Sequence, residues 1–279
     1  MTLSASNTPS RKTKLSLTLG NRAVEFDRPV IMGIVNATPD SFYAGARNAS
    51  EATVERLLAE GADMLDIGAC STRPGADPVS AAEEWRRMEP VLKAARRLAP
   101  EIPISIDTFR ADVARRALDA GADIINDISG GTFDPLMDRL AAERRVPYII
   151  MHMRGNSSTM QTLTDYDSQG GVTAAVIRFL ARRISELADM GVKDIIVDPG
   201  FGFAKTIEQN FQLLDNLQLI ADTLQRPMLV GLSRKSMFYK PLGLGPDDVL
   251  PQTAAANRLA VERGAAILRV HDPAHALPR

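Results

Sequence analysis

Residues 14–28 alternate between apolar and polar side chains. Leu15, Leu17 and Leu19 lead into Gly20-Asn21, and Val24 and Phe26 follow. Period-two alternation around a short glycine-containing turn predicts a β-hairpin. The hairpin is too small to be a domain and is expected to plug or flank one end of a larger body. Beyond it, short apolar runs alternate with amphipathic stretches. The runs at 30–37, 64–70, 102–108, 124–129, 148–153, 194–199, 228–233 and 266–270 predict eight strands. The stretches 51–60, 81–98, 111–120, 134–144, 171–190, 207–222 and 251–263 predict the helices between them.

The punctuation repeats. Gly61-Ala62-Asp63 and Gly121-Ala122-Asp123 each precede a strand, and Gly191 and Gly264-Ala265 hold similar positions. Glycine is a natural helix C-cap, so the echo supports repeated βα units, although any α/β protein punctuates this way. Eight such strands favour an α/β fold of the (β/α)₈ TIM-barrel type over an open doubly wound sheet, the alternative that pattern alone leaves standing. No GxGxxG follows the first strand, and no GxxxxGK[ST] occurs in the chain. Only 271–279 follow the last strand, with Pro273 and Pro278 among them. The final helix is therefore expected to be missing or shortened, leaving the outer face of the eighth strand bare or covered by a neighbour. Residues 1–13 lack the apolar run of a secretory signal and are expected to be a flexible N-terminus. Residues 14–279, hairpin included, read as one domain.

Composition narrows the partners. The 279 residues carry a formal net charge of -1 and no long basic stretch, which argues against nucleic acid. No apolar run reaches the roughly 18 residues of a membrane span, so no membrane partner is expected. The single cysteine, Cys70, cannot form an intrachain disulfide, which fits a reducing compartment; the chain is expected to be cytoplasmic.

The chemistry gathers where strands end. In a barrel those ends form the ligand-binding face. Asn36, Asp107, Asn126, Asp127, His152, Asp198, Lys235, Arg269 and His271 lie at or near them. One such residue alone reads equally as a structural anchor; several on one rim read as a binding site. Asp107, Asn126, Asp198 and Lys235 mix acceptors with donors and suit a flat, hydrogen-bonding heterocycle. Arg73, Arg269 and His271 suit an oxyanion, with solvated surface charge as the plain alternative. Loops 38–42 and 71–75 follow early strands and look able to close over a ligand, or to be rigid turns. Phe42 and Phe203 either stack on a ring or tuck against the barrel. Met151 reads as an apolar wall or as core, and His152 as a buried structural histidine rather than a base. If phosphate leaves, a loosely held Mg²⁺ is sensible, with Asn36 offering its side-chain oxygen.

At these residues the chain closely resembles the dihydropteroate synthase family, the folate-pathway enzymes blocked by sulfonamides. The resemblance rests on Met32-Gly33-Ile34-Val35-Asn36-Ala37-Thr38-Pro39-Asp40-Ser41-Phe42, on Asp66-Ile67-Gly68 with Ser71-Thr72-Arg73-Pro74-Gly75, and on Ser105-Ile106-Asp107-Thr108. It continues through Asn126-Asp127-Ile128-Ser129-Gly130-Gly131, Met151-His152-Met153-Arg154-Gly155, Asp198-Pro199-Gly200, Ser233-Arg234-Lys235-Ser236 and Arg269-Val270-His271-Asp272. It implies a TIM barrel, a homodimer, and condensation of 6-hydroxymethyl-7,8-dihydropterin pyrophosphate with 4-aminobenzoate. It further implies that Asp107, Asn126, Asp198, Lys235 and Met151 hold the pterin. Asn36, Arg269 and His271 match positions at the pyrophosphate and Mg²⁺. Thr72, Arg73 and Pro74 look like a mobile loop near aminobenzoate, and Phe203 and Ser236 match residues around its ring and carboxylate. Two rivals stand beside this reading: a pterin-binding methyltransferase domain serving a corrinoid, and a non-catalytic pterin-binding protein. The first needs neither Arg269 and His271 nor the Ser-Arg-Lys-Ser segment; the shortened C-terminus is what keeps the second open.

Overall fold

The computed structural model describes residues 14–37, 44–70 and 79–278, with the backbone alone over 44–50. The hairpin forms as the alternation requires: β1 (Leu15–Leu19) pairs antiparallel with β2 (Arg22–Phe26). Eight further strands follow: β3 (Val30–Asn36), β4 (Met64–Gly68), β5 (Ile104–Asp107), β6 (Ile124–Asp127), β7 (Tyr148–Met151), β8 (Ile195–Asp198), β9 (Met228–Val230) and β10 (Ala265–Val270). They close into a barrel in the order β10-β3-β4-β5-β6-β7-β8-β9. Parallel pairing of β10 with β3 is the closure that an open sheet lacks.

Helices wrap the outside: α1 (Ala44–Ala59), α2 (Ala81–Leu98), α3 (Ala111–Asp119), α4 (Leu136–Arg144), α5 (Val172–Asp189), α6 (Ile207–Asp215), α7 (Leu217–Leu224), α8 (Ser236–Leu242) and α9 (Leu250–Glu262). Local chemistry marks their starts. Ser80 accepts the Glu83 N–H at the head of α2, and Thr206 and Gln209 form a reciprocal capping box on α6. The single helix expected over 207–222 is two, separated at Asn216.

The repeated Gly-Ala-Asp has a second use beyond turning the chain. Gly61 and Gly121 take positive φ, as a left-handed cap needs. Asp63 then accepts the N–H of Ile31 at the start of β3, and Asp123 that of Ile104 at the start of β5, both at 2.9 Å. Each aspartate satisfies a backbone donor at the beginning of the preceding strand.

Alternation along the strands fills the lower barrel. Val30, Met32, Met64, Ile124, Ile149, Ile196, Leu229 and Ile267 point inward and form one buried cluster with Leu15, Leu17 and Leu19 of the hairpin. The hairpin therefore plugs the N-terminal mouth. Thr18 N–H also donates to Asp194 at 2.8 Å.

The outer face of β10 corrects one expectation. It is neither bare nor in need of a neighbour. Leu268 and Val270 are fully buried, in one cluster with Ala276 of the chain's own final segment. That segment makes one 3-10 turn at Pro273–His275, and no α-helix follows among the described residues. Asn257 of α9 fixes it by donating to the Ala276 carbonyl at 2.8 Å. Residues 1–13 lie outside the described residues.

Truncating Leu17 to Ala should remove part of the floor. The expected loss is about 2–4 kcal/mol of unfolding free energy, read by urea denaturation, with substrate affinities unchanged.

Candidate active site

Strand periodicity delivers the site from the floor. Side chains two residues apart share a face, so each inward apolar residue is followed, one layer higher, by the next inward position. Met64 leads to Asp66, Ile124 to Asn126, Ile149 to Met151, Ile196 to Asp198 and Ile267 to Arg269. The lower layer is apolar but for Ser105 of β5, and the upper one is mostly polar. Asp107 ends β5, in register with Gly68 on one side and Asn126 on the other.

Arg269 ties the upper layer together. Its Nε donates to Asp66 Oδ2 at 2.6 Å and its Nη2 to Asp107 Oδ2 at 2.7 Å. Asn126 Nδ2 donates to the same Asp66 oxygen at 3.1 Å. Burial disfavours the charged guanidinium, but Asp66 and Asp107 outweigh it and hold the pKa above its ordinary value. Burial pushes the Asp107 carboxyl up to about 7; Arg269 opposes the shift, and the charges of Asp66, Glu84 and Asp127 add to it. The other oxygen of Asp66 and the Ser105 hydroxyl are buried without a hydrogen-bond partner.

Across the mouth, burial raises the Asp198 pKa against the Gly200 N–H and the charges of Lys235 and Arg269. Burial lowers the Lys235 ammonium to about 8, with Asp198 opposing. Lys235 Nζ stands 4.9 Å from the centre of the Phe203 ring, a cation–π contact. Met151 is buried with Ile128, Met153, Met160 and Ala204, against which Phe203 packs. The loop after β8 depends on Gly200, at φ +74°, since a Cβ there would lie 2.0 Å from the His152 carbonyl oxygen. Ser236 opens α8 directly after Lys235.

The loops that carry Lys235 and His271 are clamped together. Arg234, itself at φ +56°, donates to both oxygens of Asp272 and also pairs with Asp247. His271 Nδ1 lies 3.0 Å from Ser233 Oγ. Burial, with the charges of Arg269 and Arg234, brings its imidazole down to about 4, so it is neutral at pH 7. His271 therefore brings a hydrogen-bonding ring without charge.

Asn36 ends β3 on the exposed rim, in register with Gly68. Among the described residues, no cluster of three or more His, Cys, Asp or Glu is placed to hold a metal. Asp127, named with the strand-end residues, faces the helix layer instead, accepting from Ser129, Gly131 and the Tyr148 hydroxyl. His152 is buried outside the mouth, beside Tyr166 and Phe179. Thr72, Arg73 and Pro74, and the loop with Phe42, lie outside the described residues. Asp66 was not singled out from the sequence as a candidate site residue. Its signal was there: a carboxylate two positions after Met64, on the inward face of a buried strand.

A closed parallel barrel with an apolar floor and a ring of ionisable groups at its C-terminal mouth defines a class of small-molecule enzyme sites. Residues 32–271 match the pterin binding enzymes, and the chain belongs to that family. Within it, the chain groups with the dihydropteroate synthases, transferases of folate synthesis. It is 46% identical over 252 residues to the dihydropteroate synthase of Synechocystis sp., covering 88% of this chain and 86% of that protein. The structure of Xanthomonas albilineans dihydropteroate synthase with 4-aminobenzoic acid superposes with a TM-score of 0.85 at 41% identity, covering 95% of each chain. The Xanthomonas albilineans enzyme in complex with 7,8-dihydropteroate gives 0.82 at 38% identity, over 94% of this chain and 95% of that one.

Two outcomes are expected. Asp66→Ala leaves Arg269 with one carboxylate and an Asn126 donor unpaired, which should cost about 3–5 kcal/mol in urea unfolding. His271 binds a proton less readily when folded, so its contribution to stability is full above its ordinary 6.5 and fades as pH falls toward 4. Melting temperatures of His271→Gln should therefore fall less steeply than wild type across that window.

Proposed function

We propose that the chain condenses 6-hydroxymethyl-7,8-dihydropterin pyrophosphate with 4-aminobenzoate, releasing 7,8-dihydropteroate and pyrophosphate. The observation that carries this reading is the network in which Arg269 binds both Asp66 and Asp107 and Asn126 joins through Asp66, with Asp198 and Lys235 in the same electrostatic cluster. Asp198 and Asn126 suit the adjacent N–H and amine groups of a pterin edge, and Lys235 suits its carbonyl or a ring nitrogen. Met151 supplies an apolar wall. Phe203 and Ser236 serve the aminobenzoate side, and Thr72, Arg73 and Pro74 are assigned to the same substrate by the family resemblance.

The bond from the pterin CH₂ to the pyrophosphate oxygen breaks first, and the arylamine lone pair then forms the C–N bond. Electron release from the dihydropterin stabilises the cationic CH₂, which makes the route SN1-like. Ionised Asp107 supports that positive charge, and the amine proton leaves after attack to water or pyrophosphate. Arg269 retains Asp66 as counter-ion and turns its other arm from Asp107 to the departing pyrophosphate. His271, being neutral, adds a hydrogen bond there. Asn36 would offer one side-chain oxygen to a loosely held Mg²⁺, the one described residue assigned to it. When bound, it offsets charge on the leaving group.

A homodimer follows from the same family reading, and light scattering in solution tests it. No described helix is long and apolar enough to cross a membrane. The cytoplasm is the compartment we propose.

The roles separate by substrate. Asp198→Asn should weaken pterin binding about 10- to 100-fold, because one of two carboxylate acceptors becomes an amide donor facing the ring donors. Arg269→Met should lower kcat with pyrophosphate release. Arg73→Ala should raise the KM for 4-aminobenzoate alone. Calorimetry with each substrate and a pyrophosphate-release assay check this; equal losses for both substrates in every variant would defeat the assignment.

A further inference from the structure

One buried lysine has no part in the chemistry described so far. Lys205 is 5% exposed and follows the Gly200–Phe203 loop. Its Nζ donates to the Gly200 and Phe203 carbonyls, each at 2.9 Å, and lies 3.1 Å from His152 Nδ1. The His152 carbonyl is a more distant fourth neighbour at 3.3 Å. Burial lowers this ammonium to about 7, with Asp198 opposing; in the charged form its three donors, in tetrahedral array, meet the three closer acceptors. His152 is itself buried, its ring set edge-on to Phe179 with centroids 5.2 Å apart. Burial holds this imidazole far below its ordinary pKa, and the Nε2–H tautomer of the neutral ring leaves Nδ1 to accept from Lys205.

The rest of the loop is tied down around this point. Gly202 N–H donates to Asn210 at 2.7 Å, and the Tyr166 hydroxyl donates to the Ala204 carbonyl at 2.9 Å. What remains free is the side of the loop that meets Lys235. The Phe203 ring lies there, and a Cβ on Gly202 would come within 3.4 Å of Lys235 Nζ.

We propose that Lys205 is a positioning residue for 4-aminobenzoate: by binding the carbonyls of Gly200 and Phe203 and the His152 ring, it fixes the Phe203 ring beside Lys235. The loop after β8 and the end of β7 then move as one piece. Lys205 touches neither substrate. This rests on the functional reading above, in which Phe203 faces the amine.

The test is a double-mutant cycle of Lys205→Met, Phe203→Ala and the pair, with both KM values measured by pyrophosphate release. Lys205→Met keeps the length of the side chain and removes every donor. It should raise the KM for 4-aminobenzoate ~10-fold while leaving that for the pterin pyrophosphate within about threefold. In the pair, the aminobenzoate KM should equal that of Phe203→Ala alone, because residues acting in series do not add. Multiplying effects would overturn the proposal, as would proportional rises in both KM values or no change in either. If Lys205→Met does not fold, Lys205→Gln, with a shorter reach, carries the same cycle and the same outcomes. Wild-type pyrophosphate release is measured first. Its absence would sink the functional reading and this proposal together, whereas the cycle, read as ratios to wild type, can fail alone.

Discussion

A guanidinium held between two carboxylates organises the mouth of this barrel. A guanidinium and two carboxyl groups cannot sit above an apolar floor without partners for one another, since an isolated charge there costs far more than a paired one. Arg269 meets that constraint by engaging Asp66 and Asp107 together, and Asn126 is drawn to the same oxygen. The arrangement spans β4, β5, β6 and β10, so it also pins the seam where the barrel closes. Such a cluster is poised rather than inert. A ligand that offers Asp107 a better partner releases one arm of the arginine without stripping it of charge compensation.

The floor and the mouth are two layers of one pattern. Moving along a strand by two residues passes from Ile196 to Asp198, or from Ile267 to Arg269, with no change of direction. The geometry that seals the interior therefore also aims the polar groups. Register matters for the same reason: slipping one strand by one residue would send its aspartate into the helix layer. Asp127, next to Asn126, shows what that outward position is used for, namely closing the turn at Ser129 to Gly131.

Much of this was legible in the sequence because alternation and glycine punctuation are local signals. The eight strands, the hairpin and most of the helices between them follow from those alone, the short α8 being outside the predicted stretches. The break at Asn216 was not legible, since one asparagine is a weak interruption of an otherwise helical pattern. Strand-end residues such as Asp198 and Arg269 could be named in advance, yet Asp66 could not be weighed until Arg269, far along the chain, was seen to lie on it. Lys205 was hidden for the same reason: its acceptors are carbonyls, which every residue has. The neutral state of His271 depends on burial and on Arg234 and Arg269 together, and no spacing encodes that.

The hairpin seated in the lower end has a consequence for traffic. With Leu15, Leu17 and Leu19 stopping that end, ligands reach the mouth from the opposite side. On the proposed assignment, the group that docks against Asn126 and Asp198 goes in ahead of its co-substrate, and the joined product has to back out past the site of the second arrival.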